Sequence, residues 1–291
     1  MSRTLTEDLA ALRAGSAWAD RSDRGFVVVS GPDAFSFLQA LVSADLDGVA
    51  DGDAVHSLLL SPQGKLDVDF RLLRVGDDAW LDCDPGLGAQ LAASLNRFKI
   101  RVDAQVVDRT AELGMLTRVG GAGAPVPDAP DGVHVVPTRW GHDLIGPTDR
   151  LPRHDVVDPV AFEAWRIEQG IPRQPVDVDE TTIPQEAFLE VDAVSFTKGC
   201  FLGQELVCRI DTRGHVNRFL RRFTEIDGDW PLPGAEVVAG GKVVGSLTSV
   251  AAAALPTGAL GYVRREVEPP ATVELRWEGG TASAVLADAL N

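Results

Sequence analysis

The residues with the most chemistry to offer stand in one run, Lys198-Gly199-Cys200-Phe201-Leu202-Gly203-Gln204-Glu205. Two glycines around a cysteine suit a tight turn that presents the thiol, and the nearby Lys198 ammonium favours the thiolate, the form that attacks electrophiles and binds metal. The same residues also fit an inert cysteine buried in a turn, since unpaired cysteine is among the most buried residue types. A second signal is the pair Asp67 and Asp69 in Gly64-Lys65-Leu66-Asp67-Val68-Asp69. On a strand their period of two puts both carboxylates on one side, as a reactive pair or as a solvent-facing edge. A third is the basic run Arg209, Arg213, Arg218, Arg221 and Arg222, opposed only by Asp211. It reads either as the anion-attracting mouth of a pocket or as a solvated hinge. His56, His134, His142, His154 and His215 show no metal-ligand spacing with one another or with Cys83, Cys200 and Cys208, so no permanent metal site is expected.

Bulk properties narrow the partners. The formal charge is -16, from 43 acidic and 27 basic residues, so the long-range field repels phosphate backbones and anionic lipid. General nucleic-acid binding and membrane association are therefore not expected. Three cysteines fit a reducing compartment, and Arg3, Glu7, Asp8 and Arg13 interrupt the apolar core a secretion signal needs, so a cytoplasmic location is expected. The uncharged run from Val243 to Val263 contains Gly245, Pro256, Gly258 and Gly261, which suit two strands and a turn rather than a bilayer helix.

Elements able to position these groups follow from periodicity. Phe26 to Val29 reads as a buried strand ended by Ser30-Gly31-Pro32, and Ala34, Phe37, Leu38 and Leu41 as one helix face. Strands are expected at Val55–Leu60, Leu66–Val75 and Ala79–Cys83, a helix over Leu87–Phe98, and strands again at Val102–Val107 and Leu113–Val119. The stretch Gly120–Gly132 reads as an exposed linker, Val133–Val136 and Asp143–Ile145 as short strands, and Pro159–Gln169 as a helix stopped by Gly170. From about Phe219 onward only short strands and Gly/Pro turns occur, which predicts a small barrel or sandwich.

The eight-residue run ending at Glu205 closely resembles the K-G-C-[FY]-x-G-Q-E signature of the YgfZ family, folate-binding relatives of the glycine-cleavage T-protein that assist iron–sulfur proteins. Three further regions agree in order. Arg24 to Asp45 resembles the superfamily's opening strand and helix. Trp165 to Gly170 with Asp179-Glu180-Thr181 and Pro184 resembles its folate-site segment, and Gly245–Ser249 with Ala259–Val263 resembles two strands of its C-terminal barrel.

The resemblance implies an α+β, three-lobed T-protein-like fold with a central folate pocket and a C-terminal β-barrel. Its lobes would be residues 1–48 with 133–214, an inserted α+β lobe at 49–132, and the barrel at 215–291. It implies tetrahydrofolate or another reduced folate as cofactor, and iron–sulfur client proteins, those modifying tRNA among them, as partners. By the same resemblance Glu168, Asp69, Gln204 and Arg209 bind the folate, while Cys200, Asp69 and Lys198 carry the chemistry. Glu168 suits a pterin edge, because one carboxylate accepts an exocyclic amine and a ring N–H side by side. The alternative is a folate-dependent aminomethyltransferase or related one-carbon transferase using Asp69. Against glycine cleavage itself, this chain has Gln204 where the T-protein has a basic residue, and Cys200 where it has no cysteine.

Overall fold

The computed structural model describes residues 3–120 and 125–289. The first half of the chain forms α1 (Leu5–Arg13), β1 (Ala17–Asp20), β2 (Gly25–Ser30), α2 (Ala34–Leu41), β3 (Ala54–Leu60), β4 (Leu66–Val75), β5 (Asp78–Cys83), α3 (Gly88–Phe98), β6 (Gln105–Asp108), β7 (Leu113–Val119), β8 (His134–Thr138) and β9 (Gly141–Pro147). There follow α4 (Pro159–Glu168), α5 (Glu190–Ala193), α6 (Gln204–Arg213), β10 (Arg218–Gly228), β11 (Glu236–Ala239), β12 (Lys242–Val250), β13 (Ala259–Arg264), β14 (Ala271–Trp277) and β15 (Gly280–Asp288). Of the expected linker, residues 121–124 lie outside the described residues, and residues 125–132 have no helix or strand. Two compact units result: one holds residues up to Arg13, Asp158–Leu189 and residues from Arg209 on, the other Ala14–Val157 and Glu190–Cys208.

The second unit is layered. A five-stranded antiparallel sheet runs in the order β3-β4-β5-β2-β6. Alternation along its strands sends Val27, Val29, Val68, Phe70 and Leu72 to a core that includes Phe37, Leu38, Leu91 and Leu95 of α2 and α3. Phe26, Leu73 and Trp80 point the other way and meet Met115, Val136 and Ile145 of a four-stranded sheet ordered β1-β7-β9-β8. Each fully buried Leu or Phe contributes about 1.5–3 kcal/mol relative to an exposed one, so these two cores dominate the unit's stability.

Between the sheets lies a charge network that hydrophobic patterning does not show. Arg71 of β4 donates from Nε to Asp82 at 2.9 Å and from Nη1 to Asp143 of β9 at 2.7 Å. Arg24 donates to Asp82 at 2.8 Å and to Asp84 at 2.7 Å, and Thr117 donates to Asp143 at 2.7 Å. Asp82 and Asp143 are buried. Burial alone would raise the Asp82 pKa, but the two guanidinium groups outweigh it and hold the carboxyl below its usual range.

In the first unit α1 packs along α4. The α4 N-terminus is capped by the Asp158 carboxylate, which accepts the Val160 N–H at 2.8 Å, with Pro159 in the first turn. Strands β10 to β15 close into a six-stranded barrel in the order β10-β13-β12-β11-β14-β15, so the region expected as barrel or sandwich is a barrel. The uncharged run around Val243 to Val263 supplies β12 and β13 of it. Among the described residues no helix is long and apolar enough to cross a membrane.

Arg166, 4% exposed, fastens α4 to both neighbours. Its Nη1 donates to Asp177 at 2.8 Å and its Nη2 to Ser249 of β12 at 2.9 Å, while Thr248 donates to Asp177 at 2.5 Å. Helices α1 and α5 and strand β1 were not anticipated, nor was α6, whose only buried residue is Val207 and whose polarity hides its periodicity.

Removing Arg71 leaves buried Asp143 with only the Thr117 hydroxyl and buried Asp82 with Arg24 alone. Arg71→Met is expected to lower stability by about 3–5 kcal/mol, the range for breaking one side of a buried ion pair, as read by urea denaturation. A loss below about 1 kcal/mol would show that water reaches the network.

Candidate functional site

The Lys198–Glu205 run is built into the second unit by both flanks. Its entrance is tied to the end of α2. Ser43 Oγ donates to the Ala193 carbonyl at 2.6 Å and accepts the Leu58 N–H at 2.8 Å, and the Ser195 N–H donates to the Ser43 carbonyl at 2.9 Å. Lys198 then reaches under the helix: Nζ donates to the carbonyls of Gln39 at 2.8 Å, Val42 at 2.8 Å and Ala44 at 2.6 Å. A cation at a helix C-terminus, satisfying carbonyls that the last turn leaves over, is favourable on both dipole and hydrogen-bond grounds. Burial pulls the Lys198 pKa down to about 8, against the opposing pull of Asp45 and Asp47. Three donors meet three carbonyls, so the ammonium has none left for the Cys200 sulfur. Any effect of Lys198 on the thiol is therefore through its charge and not through a hydrogen bond.

The exit of the run rests on the turn between β3 and β4. Gly64 and Gly203 both have positive φ, 73° and 77°, and their backbones touch. A Cβ on Gly64 would come within 2.7 Å of Leu206 Cβ and 2.9 Å of the Gly203 carbonyl, so no other residue fits without displacing one segment. Phe201 is buried, and the Leu202 N–H donates to the Leu41 carbonyl at 3.3 Å. Between the two anchors Cys200 is exposed, and a Cβ on Gly199 would meet open space. The buried-cysteine alternative is thereby excluded for Cys200. It describes Cys83, whose thiol burial pushes up to about 12.

The strand carboxylates divide. Asp67 and Asp69 share one side of β4 as expected, but β4 lies between β3 and β5 and is no edge. Asp67 accepts a hydrogen bond from Gln90 Nε2 at 2.9 Å. Asp69 meets His56 Nε2 at 2.5 Å. Burial disfavours the His56 imidazolium, yet the Asp69 carboxylate more than compensates and raises its pKa. His56, passed over in the sequence because it has no metal spacing, is thus an ionic partner of a candidate residue; its cross-strand proximity to β4 was the signal available. Gln204 opens α6, its N–H donating to the Phe201 carbonyl at 3.3 Å.

In the first unit Glu168 ends α4. Arg13 Nε sits 3.1 Å and 3.0 Å from its two carboxylate oxygens, and Arg222 Nη1 donates to its carbonyl at 2.9 Å. Asp179 folds into a local turn, accepting from the Thr181 N–H at 2.8 Å and its hydroxyl at 2.7 Å. The basic run does not form one surface. Arg209 and Arg213 are exposed on α6, but Arg218 grips Glu186 at 3.1 Å and stacks on Tyr262, Arg221 is buried against Phe188 and Phe219, and Arg222 is bound to carbonyls. Neither expectation, pocket mouth or solvated hinge, describes the three strand arginines, each of which has a partner within the unit.

Known proteins resemble this chain. The GCVT N-terminal domain profile matches residues 1–124. The tRNA-modifying protein YgfZ of Edwardsiella ictaluri is 30% identical over 220 residues, a match covering 66% of this chain and 66% of that protein. The chain belongs to the YgfZ and T-protein-like family. This family member is also 29% identical over 280 residues to the mitochondrial iron-sulfur cluster assembly factor IBA57 of Mus musculus, covering 84% of the chain and 76% of the relative. The match thus spans about two thirds of the bacterial relative's length. The crystal structure of the glycine cleavage system aminomethyltransferase T from Bartonella henselae shares its fold with a TM-score of 0.76 over 97% of this chain and 88% of the other, at 19% sequence identity.

The three thiols should separate by accessibility. In the native protein a neutral alkylating probe is expected to label Cys200 first, half-buried Cys208 more slowly and Cys83 only after unfolding. Equal labelling of Cys83 and Cys200, followed by peptide mass analysis, would contradict this placement.

Proposed function

We propose that the protein binds a reduced folate, tetrahydrofolate in the first instance, and acts in the cytoplasm as an accessory factor for the assembly or repair of iron–sulfur proteins, including those that modify tRNA. Cys200 is its acting thiol. The carrying observation is the division of labour in the Lys198–Glu205 run: Lys198, Phe201 and Gly203 each have a packing or hydrogen-bonding task, whereas Cys200 is exposed and its side chain supports nothing around it. A rigid loop built to display one thiol fits chemistry on a partner better than stability. The names of the YgfZ and IBA57 relatives point the same way.

The residues fit a folate. Glu168 offers a half-exposed carboxylate whose two oxygens already face a nitrogen donor, the arrangement a pterin edge requires. In this proposal Glu168 takes the pterin edge, and the family resemblance assigns Asp69, whose carboxylate His56 holds in place, together with Gln204 and Arg209 as the further folate residues. Bound tetrahydrofolate would supply one-carbon carriage or a regulatory signal. A second reading, folate-dependent aminomethyl or other one-carbon transfer, draws on the Asp69–His56 pair and predicts that Asp69→Asn abolishes transfer from an aminomethylated carrier while Cys200→Ser does not.

Two measurements test the main reading. Glu168→Gln keeps the shape but loses the charge, and is expected to weaken tetrahydrofolate binding by about 1–3 kcal/mol in a calorimetric titration; unchanged affinity would remove Glu168 from the site. Cys200→Ser is expected to fold and bind folate as the parent does, yet to leave iron–sulfur client enzymes inactive in cells lacking the gene. Full rescue by Cys200→Ser would make the thiol incidental.

A further inference from the structure

Arg13 occupies the one position on Glu168 that the proposed ligand needs. Its Nε lies 3.1 Å from Oε1 and 3.0 Å from Oε2, nearly equidistant, so it sits on the axis between the two oxygens. The inward-facing lone pairs of both oxygens are taken together. A pterin edge presents two adjacent N–H donors to those same lone pairs, and a carboxylate cannot serve both partners in that plane.

Arg13 is able to leave. It is the last residue of α1, its side chain is 50% exposed against 28% for Glu168, and the pair is an ion pair at the rim rather than in the core. Exposed pairs of this kind are worth little, because water competes well for both charges. The partner that stays is Arg222, which holds the Glu168 carbonyl and the Asp288 carbonyl and leaves the carboxylate alone. Helix α4 therefore keeps its end fixed whether or not Arg13 is engaged.

We propose that Arg13 is a built-in competitor for the folate site: its guanidinium closes Glu168 when no pterin is present and must swing away for one to bind. The inference rests on the folate reading above and adds a regulatory contact to it. While engaged, Arg13 neutralises a carboxylate that would otherwise attract any small cation or amine, so it also acts as a filter, yielding only to a ligand with two aligned donors. Binding then carries the cost of breaking the pair, which scales affinity by the fraction of time the site is open.

Titration of tetrahydrofolate into the parent, Arg13→Gln, Arg13→Lys and Glu168→Gln proteins distinguishes the possibilities. Arg13→Gln is expected to tighten binding about two- to five-fold, the range set by an exposed ion pair, and Arg13→Lys to fall between it and the parent. Unchanged or weaker binding in Arg13→Gln, with Glu168→Gln still weakened, would overturn the competitor while leaving the folate site standing. Binding that is absent in the parent or indifferent to Glu168→Gln would overturn the folate reading, and the competitor with it. Thermal unfolding of each variant reports whether α1 stays docked on α4, which the surface position of Arg13 leads one to expect.

Discussion

One ammonium group holds the candidate site together. Lys198 closes the end of α2 by hydrogen bonding the carbonyl of Gln39 in its last turn and those of Val42 and Ala44 just beyond it, and in doing so it fixes the start of the loop that carries Cys200. Hydrogen bonds to a charged donor contribute about 1.5–3 kcal/mol each before desolvation is subtracted, so the clamp is a strong local constraint even though burial opposes the charge. The glycine contact at Gly203 fixes the other end. A thiol on a loop pinned at both ends has few conformations to lose on meeting a partner, and that is what separates a displayed cysteine from a merely exposed one.

The first unit uses charge to the same end. Arg222 takes the α4 end carbonyl as Lys198 takes those of α2, and Arg166 goes further by placing a guanidinium inside the unit, balanced by Asp177 and by hydroxyls from the barrel. Loss of Arg166 would leave the buried Asp177 carboxylate without its guanidinium, so helix, loop and barrel are held in one arrangement rather than merely packed. The arginine of the Arg166-Ile167-Glu168 segment is therefore structural and its neighbour two residues on is the candidate ligand contact.

Much of this architecture was legible in the sequence. Strand alternation gave β4 and β7 to the residue, the helix stripe gave α2 and α3, and the turn-rich tail gave the barrel, because burial on one face leaves a period in the sequence. The displayed run was noticed from its residue types and singled out by its resemblance to a family signature. What could not be read is what long-range contact decides: that Lys198 spends its donors on backbone carbonyls, that Arg71 bridges two sheets, and that Arg13 reaches a carboxylate 155 positions away. Polar networks leave no period. Helix α6 was missed for a related reason, since a helix with a single buried residue carries almost no apolar stripe.

The division of the chain bears on how it is made. Helix α1 docks on α4, and the Asp158 N–H that helps join them meets Asp8 across 150 positions. During synthesis α1 emerges first and waits through most of the second unit before its partner exists, and the barrel strands come later still. The second unit waits as well, for residues 190–208 arrive only after α4. Each unit is thus completed by chain that leaves the ribosome late, and early intermediates must carry an unpartnered amphipathic helix, the kind of surface that nascent-chain chaperones hold.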